Sequence, residues 1–229
     1  EGSNIAITGG EVTATGGYGG AGIGGGSEGE GKDITISSGE VKATGGDFGA
    51  GVGGGWDGDG SDIAITGGEV KATGGLNGAG IGGGWDGDGN NITVSGDAKL
   101  KVRGGVEDEI DGAGAGIGGG GSNAGGTPIP GAKVEPDTSG LTTGRIEYYA
   151  PGADMENDTP ISTTTGKPTE PAEPEQPEAE RGAAAPLYRV TDRDGRDIAC
   201  TAEQKGGVLT VTVDEDFAVL TASLSGMTA

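Results

Sequence analysis

The stretch DIAITGGEVKATGGLNGAGIGGGWDGDGN, Asp62–Asn90, decides how the chain is read. Nearly the same words occupy Asp33–Ser61 and Asn4–Lys32, and a looser copy starts at Asn91. The leading isoleucines Ile5, Ile34, Ile63 and Ile92 follow one another at a step of 29 residues. A fixed period of this size marks a solenoid, whose coils bury their apolar face only against a neighbouring coil. Each copy offers three short extended segments. The first, Ile5–Thr8 and its equivalents, alternates apolar with small or polar residues, the period of a half-buried strand. A glycine turn follows, then Glu11–Thr15, where Val12 and Ala14 face one way and Glu11, Thr13 and Thr15 the other. The third is Ala21–Gly24, with Ala and Ile inward and glycine outward. Three strands and three corners per copy predict an all-β chain: a right-handed parallel β-helix of about four 29-residue coils.

Stacked coils lay like residues above like. Ile5, Ile34, Ile63 and Ile92 form one inward column, and Ile7, Ile36, Ile65 and Val94 a second. Outside, Glu11, Glu40 and Glu69 form an acidic row beside Lys42, Lys71 and Lys101, which predicts Glu–Lys contacts on a solvated face. The outward glycines of AGIGGG predict close backbone approach.

Composition narrows the function classes. The net charge of −22 disfavours nucleic acid and anionic membranes as partners. With no histidine, His-based catalysis and His metal sites are excluded. The one cysteine, Cys200, has no partner for an internal disulfide and reads as a small buried residue. No apolar run reaches membrane-spanning length and no signal peptide is visible; the opening at Glu1 reads as a mature protein or a fragment.

The fourth copy carries an extra residue near Gly96–Leu100 and about six more around Val106–Asp111. Arg145–Ala150 then predicts a capping strand. We expect the solenoid to occupy residues 1–150, a Pro/Glu/Thr-rich linker 151–185, and a small or partial β-rich domain 186–229. In that last part Leu187–Thr191 and Gly207–Val213 read as strands, and Phe217–Leu224 as strand or helix.

The corner after the third segment carries the chemistry. It reads Trp56-Asp57-Gly58-Asp59-Gly60-Ser61-Asp62, repeats at Trp85-Asp86-Gly87-Asp88-Gly89, and begins as Ser27-Glu28-Gly29-Glu30. Carboxylates alternating with glycines suit a hard cation, which needs oxygen ligands on a backbone free to fold around it. Glu28, Glu30, Asp57, Asp59, Asp62, Asp86 and Asp88 are therefore candidate Ca2+ ligands; the alternative is turn residues splayed into water. Trp56 and Trp85 fall one repeat apart, either as an exposed platform for a sugar ring or as a lid on the slim core. Tyr18, Phe48, Leu76 and Asn77 vary at the preceding corner, as on a tolerant surface turn.

The phrase ITGGEVxATGG…GAGIGGG resembles glycine-rich repeats of large secreted surface proteins of Gram-positive anaerobes, over about Asn4–Gly120. That resemblance implies a secreted or cell-surface, adhesin-like, carbohydrate-binding module with a polysaccharide or host glycan as partner. The repeats are also similar to the calcium-dependent pectin-binding β-helix family, except that alanine-glycine-isoleucine replaces its aspartate-glycine-isoleucine corner. A non-catalytic module is expected. A structural stalk is the near alternative, and a polysaccharide lyase or hydrolase using Lys42, Lys71 or Arg103 the remoter one, since thin coils offer no loops to shape a cleft.

Overall fold

Alternation of Ile and Val with small polar residues gives every copy one apolar face, and the repeat step places those faces in register. The computed structural model describes residues 1–167 and the strands Tyr188–Thr191, Cys200–Lys205, Val208–Val213 and Val219–Ala222. Coil one is β1 (Gly2–Thr15) and β2 (Ile23–Gly24); coil two is β3 (Gly31–Thr44) and β4 (Val52–Gly53). Coil three is β5 (Gly60–Ile65), β6 (Glu69–Thr73) and β7 (Ile81–Gly82); coil four is β8 (Gly89–Val94), β9 (Lys99–Arg103) and β10 (Ile117–Gly118). Among the described residues there is no helix.

The coils pair in parallel. Ile5, Ile34, Ile63 and Ile92 are register partners in turn, as are Ile7, Ile36, Ile65 and Val94. Val12, Val41, Val70 and Leu100 make another column, and Ile23, Val52, Ile81 and Ile117 the third side. Within coils two to four these side chains are buried, each contributing about 1.5–3 kcal/mol. In coil one Ile5, Ile7, Val12 and Ala14 are only partly buried, because a coil covers them on one side alone. The third side needs just two residues of strand per coil. Its loop is pinched shut where the Ala21 N–H donates to the Gly25 carbonyl at 2.8 Å, a bond repeated from Ala50 to Gly54 and from Ala79 to Gly83.

A partial fifth rung follows. Asp137 bridges to Thr93, Leu141 to Gly96, and β13 (Arg145–Tyr149) lies parallel on β9, so the expected capping strand is present. Tyr148 stands under Val102 and its ring lies against Gly116. Burial, then the Glu135 charge, push its hydroxyl up to about 12. Between coil four and this rung stands a hairpin of β11 (Ser122–Ala124) and β12 (Thr127–Ile129).

The chain does not leave at residue 150. Residues 151–158 fold back over β6 and β9, and β14 (Ser162–Thr165) pairs antiparallel with β13. The first compact unit is Glu1–Glu170 and the second Pro171–Ala229. The lysine row is also wired otherwise than the sequence suggests. Lys71 and Lys101 meet Glu156 of this strap at 2.8 and 2.9 Å, and no described lysine bridges to Glu11, Glu40 or Glu69.

In the second unit β15 (Tyr188–Thr191) pairs with β18 (Val219–Ala222), and β16 (Cys200–Lys205) with β17 (Val208–Val213), all antiparallel. Val219–Ala222 is thus strand. Residues 168–187, most of the expected linker, and the surroundings of Cys200 lie outside the described residues.

Candidate functional site at the glycine corners

Two glycine turns flank the short third segment of each coil. In the first, the Gly20 N–H donates to Gly17, Gly49 to Gly46 and Gly78 to Gly75; in the second, Gly29 donates to Gly26, Gly58 to Gly55 and Gly87 to Gly84. The third residue of each turn has positive φ: Gly19, Phe48 and Asn77 in the first, Glu28, Asp57 and Asp86 in the second. Two residues of strand between them bring the corners into contact. The Trp56 N–H donates to the Gly19 carbonyl and the Trp85 N–H to the Phe48 carbonyl, both at 2.7 Å.

That docking gathers the aromatic side chains. Trp56 and Trp85 meet edge to face, centroids 6.2 Å apart at 79°. Phe48 lies 5.5 Å from Trp56, and Tyr18 lies 5.8 Å from Phe48 and 6.1 Å from Trp56. Each such pair is worth about 0.5–1.5 kcal/mol beyond its area. The two tryptophans are neighbours on the rim, half-buried, and stand outside the apolar core rather than over its end. They are perpendicular, not a coplanar platform. Both indole Nε1 atoms are buried without an acceptor, while Tyr18 is 68% exposed.

The carboxylates line the adjacent edge. Glu28, Asp57 and Asp86 occupy equivalent turn positions and are exposed. Burial first, then the Asp86 and Glu28 charges, hold the Asp57 carboxyl above the ordinary carboxylate range. The second carboxylate of each corner is differently engaged. Asp59 accepts the Asp88 backbone N–H at 2.7 Å, and Glu30 sits 3.7 Å from Lys32. Asp62 accepts from the Asn91 side-chain amide. Among the described residues no three Asp or Glu side chains converge into a group that could hold a metal ion.

Three participants escaped the sequence reading. Tyr18 and Phe48 join the tryptophan cluster; the signal was the step of eight residues from Phe48 to Trp56 around so short a strand. Asn77, expected on a tolerant surface turn, is fully buried. Its side-chain amide donates to the carbonyls of Gly112, Asp111 and Val106 at 2.9, 3.3 and 3.4 Å, tying down the insertion of coil four.

A family model described as a beta helix repeat matches residues 5–27, 34–56 and 63–85, one match in each of the first three coils. Each match runs from the leading isoleucine to the corner residue Ser27, Trp56 or Trp85. No curated protein and no solved structure matches the chain.

Proposed function

We propose that this β-helix repeat chain is a non-catalytic, adhesin-like module of a secreted or cell-surface protein, and that its aromatic corner contacts carbohydrate. The observation that carries the reading is the gathering of Tyr18, Phe48, Trp56 and Trp85 along one outer edge, with Tyr18 largely exposed. Aromatic faces and edges that core packing does not consume suit the C–H faces of sugar rings. The repeat resemblance favours the extracellular setting. The tight corners of the first three coils favour a surface over a catalytic cleft. The net charge of −22 argues against nucleic acid, and no helix among the described residues is long and apolar enough to cross a membrane.

Calcium belongs to the same proposal at the neighbouring edge. Its support is the crowding of negative charge at Asp57 by Asp86 and Glu28, which a cation between coils would relieve. A glycan array probed with the full chain, with calcium and with chelator, tests both parts. Binding that Trp56→Ala and Tyr18→Ala abolish supports the aromatic contact; no binding to any glycan sinks it. Loss of binding or a lower Tm in chelator supports the metal, and indifference to chelator removes it. A structural stalk is the second reading, favoured by the unbroken register of the coils, and it predicts no glycan binding at all.

A further inference from the structure

On the outward face of β3, β6 and β9 cations gather in a chain that is otherwise strongly acidic. Lys42, Lys71 and Arg103 line a depression of about 380 Å3, floored by Thr44 and Thr73 and walled by Gly152–Met155 of the strap. The ladder explains the convergence. Lys42 and Lys71 are register partners, Thr44 pairs with Thr73, and Thr73 pairs with Arg103, so alternate outward positions of adjacent coils meet there.

The charges are unequally satisfied. Lys71 is held by Glu156 at 2.8 Å. Asp154 also lines the depression, but its oxygens accept the Glu156 N–H at 2.9 Å, and the Asn157 amide at 2.6 Å, within its own turn. Lys42 has no carboxylate within ion-pair distance among the described residues. Arg103 donates one terminal nitrogen to the Ala153 carbonyl at 2.7 Å, while its Nε is buried with no acceptor. The Nε is sealed by protein, so a ligand meets only the part of the Arg103 side chain that lines the depression. A planar guanidinium beside a free ammonium suits a planar or tetrahedral oxyanion.

We propose that this depression binds an oxyanion carried on an acidic sugar chain, a uronate carboxylate or a sulfate ester, with the Lys42 ammonium and the Arg103 guanidinium as the cations and the Thr44 and Thr73 hydroxyls as flanking contacts. The sugar identity rests on the carbohydrate reading above; the oxyanion chemistry does not. Negative charges more than about 8 Å away are largely screened at physiological ionic strength, and the two nearby carboxylates, Asp154 and Glu156, already hold partners.

The test is calorimetric titration of the full chain with an oligouronate, a sulfated oligosaccharide and a neutral oligosaccharide of equal length. We expect one acidic ligand to bind at least tenfold more tightly than the neutral one, and which one distinguishes carboxylate from sulfate. Lys42 is exposed and holds no partner, so Lys42→Gln leaves the fold intact, and it should weaken acidic-ligand binding about tenfold. Arg103→Gln should do the same, with Tm followed because the strap contact is lost as well. Lys133→Gln removes an exposed cation outside the depression and should leave acidic-ligand affinity within about twofold, which separates this groove from general surface charge. Equal affinity for neutral and acidic ligands, unchanged binding in Lys42→Gln, or no binding of either acidic ligand would each overturn the proposal.

Discussion

The Asp59 carboxylate accepts the backbone N–H of Asp88 at 2.7 Å, one coil and 29 residues further on. A side chain that looks like a cation ligand in the sequence thus works as a clamp between coils. A hydrogen bond to a charged acceptor at an exposed position is worth about 1 kcal/mol. Asp59→Ala should therefore lower stability by about that amount. Asp88→Ala should not, because Asp88 contributes only its backbone to this bond. Urea midpoints of the two variants, compared with the parent chain, check the asymmetry.

Acid should act on two carboxylates in opposite senses. Asp57 is held above the ordinary range by burial, then by Asp86 and Glu28. Its folded form binds a proton more tightly than the unfolded chain, so its charge penalises the fold above the folded pKa and the penalty fades as pH falls toward about 4. Glu156 is held below the ordinary range by hydrogen bonds from Lys71 and Lys101. Its contribution is complete above the unfolded value of about 4.3 and is lost as pH falls through the depressed folded value. Asp57→Asn should raise Tm near neutral pH, with the advantage vanishing in acid. Glu156→Gln should lower Tm near neutral pH and converge with the parent in strong acid. Scanning calorimetry across that range reads both, and parallel curves for parent and variant would contradict the assignment.

Asn77 combines a left-handed backbone, φ 60°, with a side chain that is fully buried among carbonyls. Ala at this position leaves the Gly112 carbonyl without a donor and strains the backbone, while the Val106 and Asp111 carbonyls keep the backbone N–H groups of residue 77 and Asp108. We expect Asn77→Ala to cost about 2–4 kcal/mol. Asn77→Gly removes the strain but not the missing donor, and should cost clearly less. Limited proteolysis should find new cleavage within 106–111 in both variants, because that insertion loses its tether.

The repeat made the columns readable before any coordinates. Identical residues at one step can satisfy their apolar faces only by stacking, so Ile34 above Ile63 follows from the words alone. Corner chemistry was half readable. Gly-x-x-Gly announces a turn, but the direction of Asp59 depends on which backbone N–H lies one coil away. What repetition could not announce lies where the chain stops repeating. Glu156, 85 residues from Lys71, takes the partnership expected of the neighbouring acidic row. Glu40 and Glu69, register partners on the strand face, leave the lysines to a strap that no period predicts. Tyr148 became readable only once Arg145–Tyr149 was laid in register with Lys99–Arg103, which makes it the bulky end of the Ala14–Ala43–Ala72–Val102 column.

Equivalent glycines should differ in tolerance according to whether a coil lies against them. Gly17, Gly46, Gly75 and Gly105 hold the same corner position in successive coils. A methyl group on Gly46 would overlap the Gly17 carbonyl oxygen, on Gly75 that of Gly46, and on Gly105 that of Gly75, whereas at Gly17 it would meet nothing within 4 Å. The obstacle in each case is backbone of the adjoining coil, held by its own turn bond and unable to yield as a side-chain tip would. Gly75→Ala should therefore cost about 3 kcal/mol or more, while Gly17→Ala should stay within about 0.5 kcal/mol of the parent. Gly84→Ala and Gly26→Ala form a second such pair at the other corner, where the obstacle is the Gly55 carbonyl and open space respectively. Guanidinium unfolding of the four variants checks the pattern. Equal losses within each pair would mean that these glycines serve local turn geometry, which is common to all coils, and not the approach of one coil to the next.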